Sequence, residues 1–108
     1  MTTMSANPML SWDALVKDAD PRAREQIIAF YFPFARMLAG KLYARRTYAE
    51  LEFQDYLQYA SVGLLESVDR FSPDRGVKFE TFAAPRITGA VLNGVSSLSE
   101  KLRLKELN

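Results

Sequence analysis

Apolar residues in this chain recur at intervals of three and four positions and do not alternate over any useful length, a pattern that predicts helices and no strand. Asp20 followed by Pro21 predicts a helix start. Asp caps helices, and Pro at the first helical position gives up only an N–H that has no partner there. From Pro21 the apolar spacing continues to about residue 46. Pro33 is expected to end or kink this helix, or to begin the next one.

A shorter helical pattern precedes Asp20, with apolar residues at Trp12, Leu15 and Val16 and Ser11 as its N-cap. After a connection over 47–52, a helix is predicted over 54–70. Gly63 lies inside that helix, where it costs about 1 kcal/mol relative to Ala and often permits close approach of another backbone.

The clearest turn lies at residues 72–76 (SPDRG), because Pro, Asp and Gly each favour a turn conformation. A fourth helix is predicted from 79 to about 98, and Pro85 fits it only in or near the first turns. Residues 99–108 are helix-permissive but too short to be stable alone. The pattern predicts an all-α bundle of three to five helices: a tail at 1–10, one helical domain at 11–98 and a tail at 99–108.

Composition narrows the chemistry. The 108 residues include no Cys and no His, which excludes disulfides, thiolate zinc sites, cysteine nucleophiles and the commonest general base. No glycine-rich phosphate loop, metal-ligand cluster or nucleophile elbow is present. The carboxylate pairs Glu50/Glu52 and Glu66/Asp69 are interpreted as surface charges. We therefore predict no enzyme, no cofactor and no metal site.

The sequence contains no signal peptide pattern and no segment that could span a membrane. The longest apolar stretch, 27–38, is interrupted by Pro33 and Arg36 and is shorter than the roughly 20 residues that a bilayer requires. We expect a cytoplasmic protein with no membrane partner.

Charge is unevenly distributed along the chain, although the formal net charge is only +1. Net charge is −2 over residues 1–20, +5 over 21–49, −4 over 50–80 and +2 over 81–108. One interpretation is ordinary variation among solvated helix faces. The other is an acidic face for a protein and a basic face for an anionic polymer.

Aromatic and basic residues are interleaved around the 72–76 turn. The aromatic residues are Phe71, Phe79 and Phe82, and the basic ones are Arg70, Arg75, Lys78 and Arg86. Such a group can hold phosphates and stack an unpaired base, although core packing of Phe71 and Phe79 is the simpler interpretation.

Two longer segments resemble a known family. Residues 55–71 (DYLQYASVGLLESVDRF) resemble conserved region 2.2 of bacterial RNA polymerase sigma factors, and residues 76–92 (GVKFETFAAPRITGAVL) resemble region 2.3, most closely in the flagellar branch. Trp12, the Asp20–Pro21 pair and residues 31–35 are similar to regions 1.2 and 2.1. The resemblance covers roughly residues 10–95 and implies a sigma region 2 fold.

The resemblance also implies two partners. Region 2.2 docks on the clamp helices of core RNA polymerase, and the matching positions here are Asp55, Gln58, Leu64, Leu65 and Glu66. Region 2.3 melts the promoter −10 element and traps bases of the single-stranded non-template strand. The matching positions are Phe79, Thr81 and Phe82, with Lys78 and Arg86 as phosphate contacts. Phe82 lacks the hydroxyl of the usual Tyr but keeps its stacking face.

Other positions depart from the family pattern. Thr88 stands where many members have Arg. Residues 96–105 (SSLSEKLRLK) replace the region 2.4 segment, and 108 residues leave no room for region 4. The main hypothesis is a transcription initiation domain that binds core polymerase and the −10 single strand. The alternative is a truncated, non-initiating module that occupies polymerase or sequesters an anti-sigma factor. A plain helical bundle with accidental similarity is the third interpretation.

Overall fold

The structure, a computed structural model, describes Trp12, Leu15 and residues 20–107. Its elements are α1 (Pro21–Ala44), α2 (Phe53–Arg70), a single 3₁₀ turn (Pro73–Arg75) and α3 (Phe79–Leu107). Trp12 and Leu15 are also helical, whereas the predicted cap Ser11 and Val16 lie outside the described residues. No strand occurs in the described part, and the all-α prediction is confirmed. None of the described helices is long and apolar enough to cross a membrane.

Helix α1 begins as its sequence predicts. The Asp20 side chain accepts a hydrogen bond of 2.9 Å from the Arg22 N–H, and Pro21 takes the first helical position. Pro33, however, neither ends α1 nor begins a new helix, so those two expectations are wrong. Pro33 and Ala29 are both exposed, so water can reach the Ala29 carbonyl that Pro33 leaves without a donor.

The connection between α2 and α3 is a tight turn, as predicted. Gly76 has a φ of 76°, in the left-handed region where a side chain would clash, and directly follows the 3₁₀ turn. The turn brings the start of α3 back against the end of α2. Phe71 and Phe79, which flank it, have ring centroids 5.3 Å apart.

Helix α3 extends further than predicted. Pro85 lies in its second turn and is exposed. Proline has no N–H to donate to the Thr81 carbonyl, and Thr81 is exposed as well. The helix continues from the expected end near Leu98 to Leu107. Residues 99–107 were expected to be too short to form a helix alone. They instead propagate a helix that residues 79–99 have already nucleated by packing, which costs far less than starting a new one.

Each helix presents a buried stripe at nearly every fourth position. In α1 the stripe is Ala23, Ile27, Tyr31, Ala35 and Ala39, and in α3 it is Phe79, Ala83, Ile87, Val91, Val95 and Ser99. Helix α2 packs against both α1 and α3, while α1 and α3 touch one another less. Small residues on these stripes let the helix axes approach closely.

Gly63 marks the closest approach of α2 and α3. A Cβ atom at this position would lie 2.9 Å from the Ile87 Cα and 3.0 Å from the Ala90 Cβ. These distances are shorter than ordinary van der Waals contacts, so only glycine fits without movement of a helix backbone. The predicted close approach at Gly63 is present.

Candidate polymerase and nucleic-acid surfaces

The side of α2 that faces away from α1 and α3 carries a mixed apolar and polar surface, which we call the α2 outer face. It consists of Gln58, Val62, Leu65 and Glu66, all exposed. Their spacing of four, seven and eight residues places them on one side of the helix. Val62 is 45% exposed and Leu65 is 36% exposed, so the face offers apolar area to a partner.

The five residues predicted to bind polymerase do not all share this face. Gln58, Leu65 and Glu66 do, but Leu64 is only 1% exposed and packs in the core. Asp55 lies at the start of α2, where its carboxylate accepts a 2.8 Å hydrogen bond from the Glu52 N–H. Leu64 therefore supports the helix from inside, and Asp55 has a capping role.

Val62 belongs to the α2 outer face but was not among the predicted site residues. The signal that could have placed it is its position four residues after Gln58 and three before Leu65, both predicted contacts.

Several carboxylates of the acidic 50–80 block form hydrogen bonds or ion pairs with other side chains of the chain. Arg24 of α1 binds Asp69 of α2 in a bidentate pair, with Nε–Oδ1 and Nη2–Oδ2 distances of 2.8 and 3.0 Å. The hydrogen bond from Arg24 lowers the pKa of the Asp69 carboxyl. Ser99 donates a hydrogen bond to Glu50, which lowers the pKa of that carboxyl. Part of the predicted acidic face thus joins α1 to α2 and ties α3 to the connection before α2.

A second surface surrounds the 72–76 turn, where aromatic residues cluster. Phe79 is 3% exposed, and its ring centroid lies 4.4 Å from that of Tyr31, 5.3 Å from Phe71 and 5.5 Å from Trp12. This packing leaves Phe79 no free face for a base. Core packing, the simpler interpretation, is correct for Phe79.

Phe82 lies at the edge of that cluster and is half-buried, with its ring centroid 5.4 Å from that of Phe71. It borders a groove of about 280 Å³, which we call the Phe82 groove. The groove is lined by Arg70, Phe71, Ser72, Arg75, Val77 and Phe82. One half-accessible aromatic ring beside two cations is a suitable combination for a nucleotide.

The predicted DNA-binding residues also divide into exposed and buried ones. Lys78, Thr81 and Arg86 are exposed near Phe82 along the chain, whereas Phe79 is inside the core. Arg70 and Arg75 line the groove; the sequence placed them in the aromatic and basic group around the turn, but the family resemblance did not include them among the DNA-binding positions. The available signal was the position of Arg70 just before the turn and of Arg75 within it.

Across the part of the chain that the structure describes, no group of three or more acidic side chains is arranged to hold a metal ion.

Comparison with known proteins identifies the family. The model of the family "Sigma-70 region 2" matches residues 31–100. RNA polymerase sigma-F factor of Kitasatospora aureofaciens is 36% identical over 70 residues, which is 65% of this chain and 22% of that protein. RNA polymerase sigma factor FliA of Pseudomonas aeruginosa is 36% identical over 73 residues, 68% of this chain and 29% of that protein.

A more distant relative, RNA polymerase sigma-D factor of Bacillus subtilis, is 24% identical over 95 residues, 88% of this chain and 37% of that protein. This chain thus spans between a fifth and two fifths of the length of these relatives. The comparison with solved structures found no match. The family match covers well over half of the sequence, including the α2 outer face and the Phe82 groove, and the chain belongs to the sigma-70 region 2 family.

Proposed function

We propose that this chain is a transcription initiation domain that binds the clamp helices of core RNA polymerase and the single-stranded −10 element of promoters. The observation that carries the proposal is the family match over residues 31–100, which includes both exposed surfaces. In this proposal the protein acts by binding, in the cytoplasm, and performs no catalysis of its own.

The α2 outer face supports the polymerase half of the proposal. Val62 and Leu65 offer an apolar centre, while Gln58 and Glu66 provide polar groups beside it. An interface of this type gains most of its affinity from a few desolvated apolar side chains, and polar groups at its rim set orientation. The clamp helices would then bury Leu65 and pair a basic residue with Glu66.

Retention on immobilised core polymerase tests this half. Gln58→Ala combined with Leu65→Ala is expected to reduce retention, because the pair removes one apolar side chain from the centre of the α2 outer face and one polar group beside it. The matched control is Leu92→Ala with Asn93→Ala, which truncates two exposed residues of similar type on α3. The proposal fails if the unaltered chain is not retained, or if the two double variants behave alike.

The Phe82 groove supports the DNA half. The ring of Phe82 can stack on an extruded base, and each such base contributes about 1–3 kcal/mol. Arg70 and Arg75, which line the groove, can hold backbone phosphates together with the exposed Lys78. Phe79 contributes indirectly, because its packing positions the neighbouring residues of α3.

Binding of fork-junction DNA with an unpaired non-template strand tests this half, with the chain assembled on core polymerase at fixed salt. Phe82→Ala is expected to weaken binding roughly 5- to 150-fold, from the 1–3 kcal/mol of one stacked base. Phe30→Ala, which truncates a 38% exposed phenylalanine of α1, is the matched control. Equal binding by both variants removes Phe82 from this role.

One observation favours the alternative function. Residues 96–105 continue α3, exposed from residue 100 onward, with a sequence unlike the region 2.4 segment that the family resemblance implies. A chain that binds polymerase but lacks a promoter-reading segment would act as a decoy, or would bind an anti-sigma factor. Transcription from a promoter recognised by a full-length sigma factor separates the two, because a domain that initiates supports transcripts and a decoy inhibits them.

A further inference from the structure

One face of the Phe82 ring is covered by a cationic side chain in this structure. The Arg86 Cζ atom lies 4.4 Å from the centroid of the Phe82 ring, a cation–π contact. Four residues separate the two positions on α3, which places their side chains one above the other. A base stacked on this face would need the space that the guanidinium occupies, since 4.4 Å leaves no room for a base between them.

Little else on α3 holds the guanidinium in place. Residues 81–99 contain no Asp or Glu, and no ion pair involving Arg86 occurs in the described part of the chain. Arg86 is exposed, and its long side chain can reach more than one position. Its contact with Phe82 can therefore be exchanged for another without breaking a salt bridge.

We propose that Arg86 is a positioning residue that covers Phe82 in the free protein, leaves the ring when an unpaired base arrives, and then contacts a phosphate of the same strand. This inference rests on the proposed DNA-binding function. The exchange replaces a cation–π contact by base stacking and adds a charge-assisted hydrogen bond. The covered ring is also kept from water and from other partners until DNA is present.

The two actions of Arg86 have opposite effects on affinity and differ in their response to salt. Covering the ring opposes binding, and this cost changes little with ionic strength. The phosphate contact favours binding and weakens with salt, by a slope of about 0.7 in log affinity against log salt for a single strand. Removing Arg86 should therefore weaken binding at low salt and strengthen it at high salt.

The first experiment measures affinity for the fork-junction DNA over the range of salt in which complexes with core polymerase stay assembled. We plot log affinity against log salt concentration for each protein. The line for Arg86→Ala should cross that of the unaltered chain, and the ratio of the two affinities should change about fivefold per tenfold change in salt. Arg86→Lys keeps the charge and should retain the original slope. A variant that binds more weakly at every salt concentration, or whose line runs parallel, overturns the proposal.

A second experiment needs no DNA at first. In nuclear magnetic resonance spectra of the chain alone, the ring current of Phe82 should shift the side-chain resonances of Arg86, and Phe82→Leu should abolish that shift. Adding the single strand should abolish it as well. Absence of the shift in the free chain, or its persistence when DNA is bound, contradicts the exchange.

The outcomes separate this inference from the function on which it rests. If Phe82→Ala leaves DNA binding unchanged, the DNA half of the proposed function fails, and the role of Arg86 fails with it. If Phe82→Ala weakens binding but the lines for Arg86→Ala do not cross, only the role of Arg86 fails.

Discussion

Gly63 gives the sharpest test of how α2 and α3 pack. Alanine at this position brings two opposing effects. Helix propensity favours alanine over glycine by about 1 kcal/mol within a helix. Against this, the new Cβ would lie 2.9 Å from the Ile87 Cα, which is backbone and cannot rotate away, and 3.0 Å from the Ala90 Cβ. Inserting a methyl into a packed interface of this kind costs about 1–3 kcal/mol.

Gly40 provides the matched control. It also lies inside a helix, α1, but a Cβ there would meet nothing within 4 Å. Gly40→Ala should therefore gain the propensity term alone and raise the free energy of unfolding by about 0.4–1 kcal/mol. Because propensity affects both substitutions similarly, the difference between them isolates the packing cost at Gly63, which we expect to be about 1–3 kcal/mol.

Urea denaturation followed by circular dichroism measures both variants against the unaltered chain. In a parallel thermal melt, a packing cost of 1 kcal/mol corresponds to a difference of about 4–8 °C in melting temperature for a domain of this size. If Gly63→Ala is as stable as Gly40→Ala, then α2 and α3 are not in the close contact described here, and the reasoning is refuted. The result also concerns function, because α2 carries the proposed polymerase surface and α3 carries Phe82.

Three further predictions follow from individual contacts. Phe79→Ala should lower the free energy of unfolding by about 3–5 kcal/mol in urea titrations, because Phe79 is buried, and a smaller loss would contradict its place in the core. Asp69→Asn should cost less than about 1 kcal/mol at neutral pH, since the pair with Arg24 is largely exposed. Folding lowers the pKa of Asp69, so the stability contributed by the ion pair is present above the unfolded pKa of about 3.9 and is lost as the pH falls through the folded pKa. The urea midpoints of the unaltered chain and of Asp69→Asn should therefore converge at that low pH. Ser99→Ala should raise the pKa of Glu50 towards its ordinary value in a carboxyl carbon titration by nuclear magnetic resonance, and an unchanged pKa would exclude the Ser99 hydrogen bond as its cause.

The candidate sites show how a family pattern combines residues with different tasks. Leu64 and Phe79 match the pattern as well as Leu65 and Phe82 do, yet the first two are buried and the last two are partly or fully accessible. A motif records which residue types are needed along a segment. It does not separate those that contact a partner from those that hold the segment in shape, since both are constrained.

The sequence alone predicted the helical spacing of apolar residues, the Asp20 cap and the turn at Gly76. These features depend on interactions among residues close together along the chain. The all-α class follows from the same local signals. The family resemblance rests on two continuous segments, and it too can be read from the sequence.

Tertiary packing alone decided the rest. Pro33 remains inside α1 on an exposed part of the helix, where water can reach the Ala29 carbonyl, and α3 continues past Leu98 because packing has already nucleated it. The assignment of Leu64 inward and Val62 outward depends on how α2 is rotated between α1 and α3. The contact between Arg86 and Phe82 likewise depends on which face of α3 the aromatic cluster leaves uncovered. These outcomes depend on groups that are distant along the chain, so their physical cause lies in the assembled helices and not in any single segment.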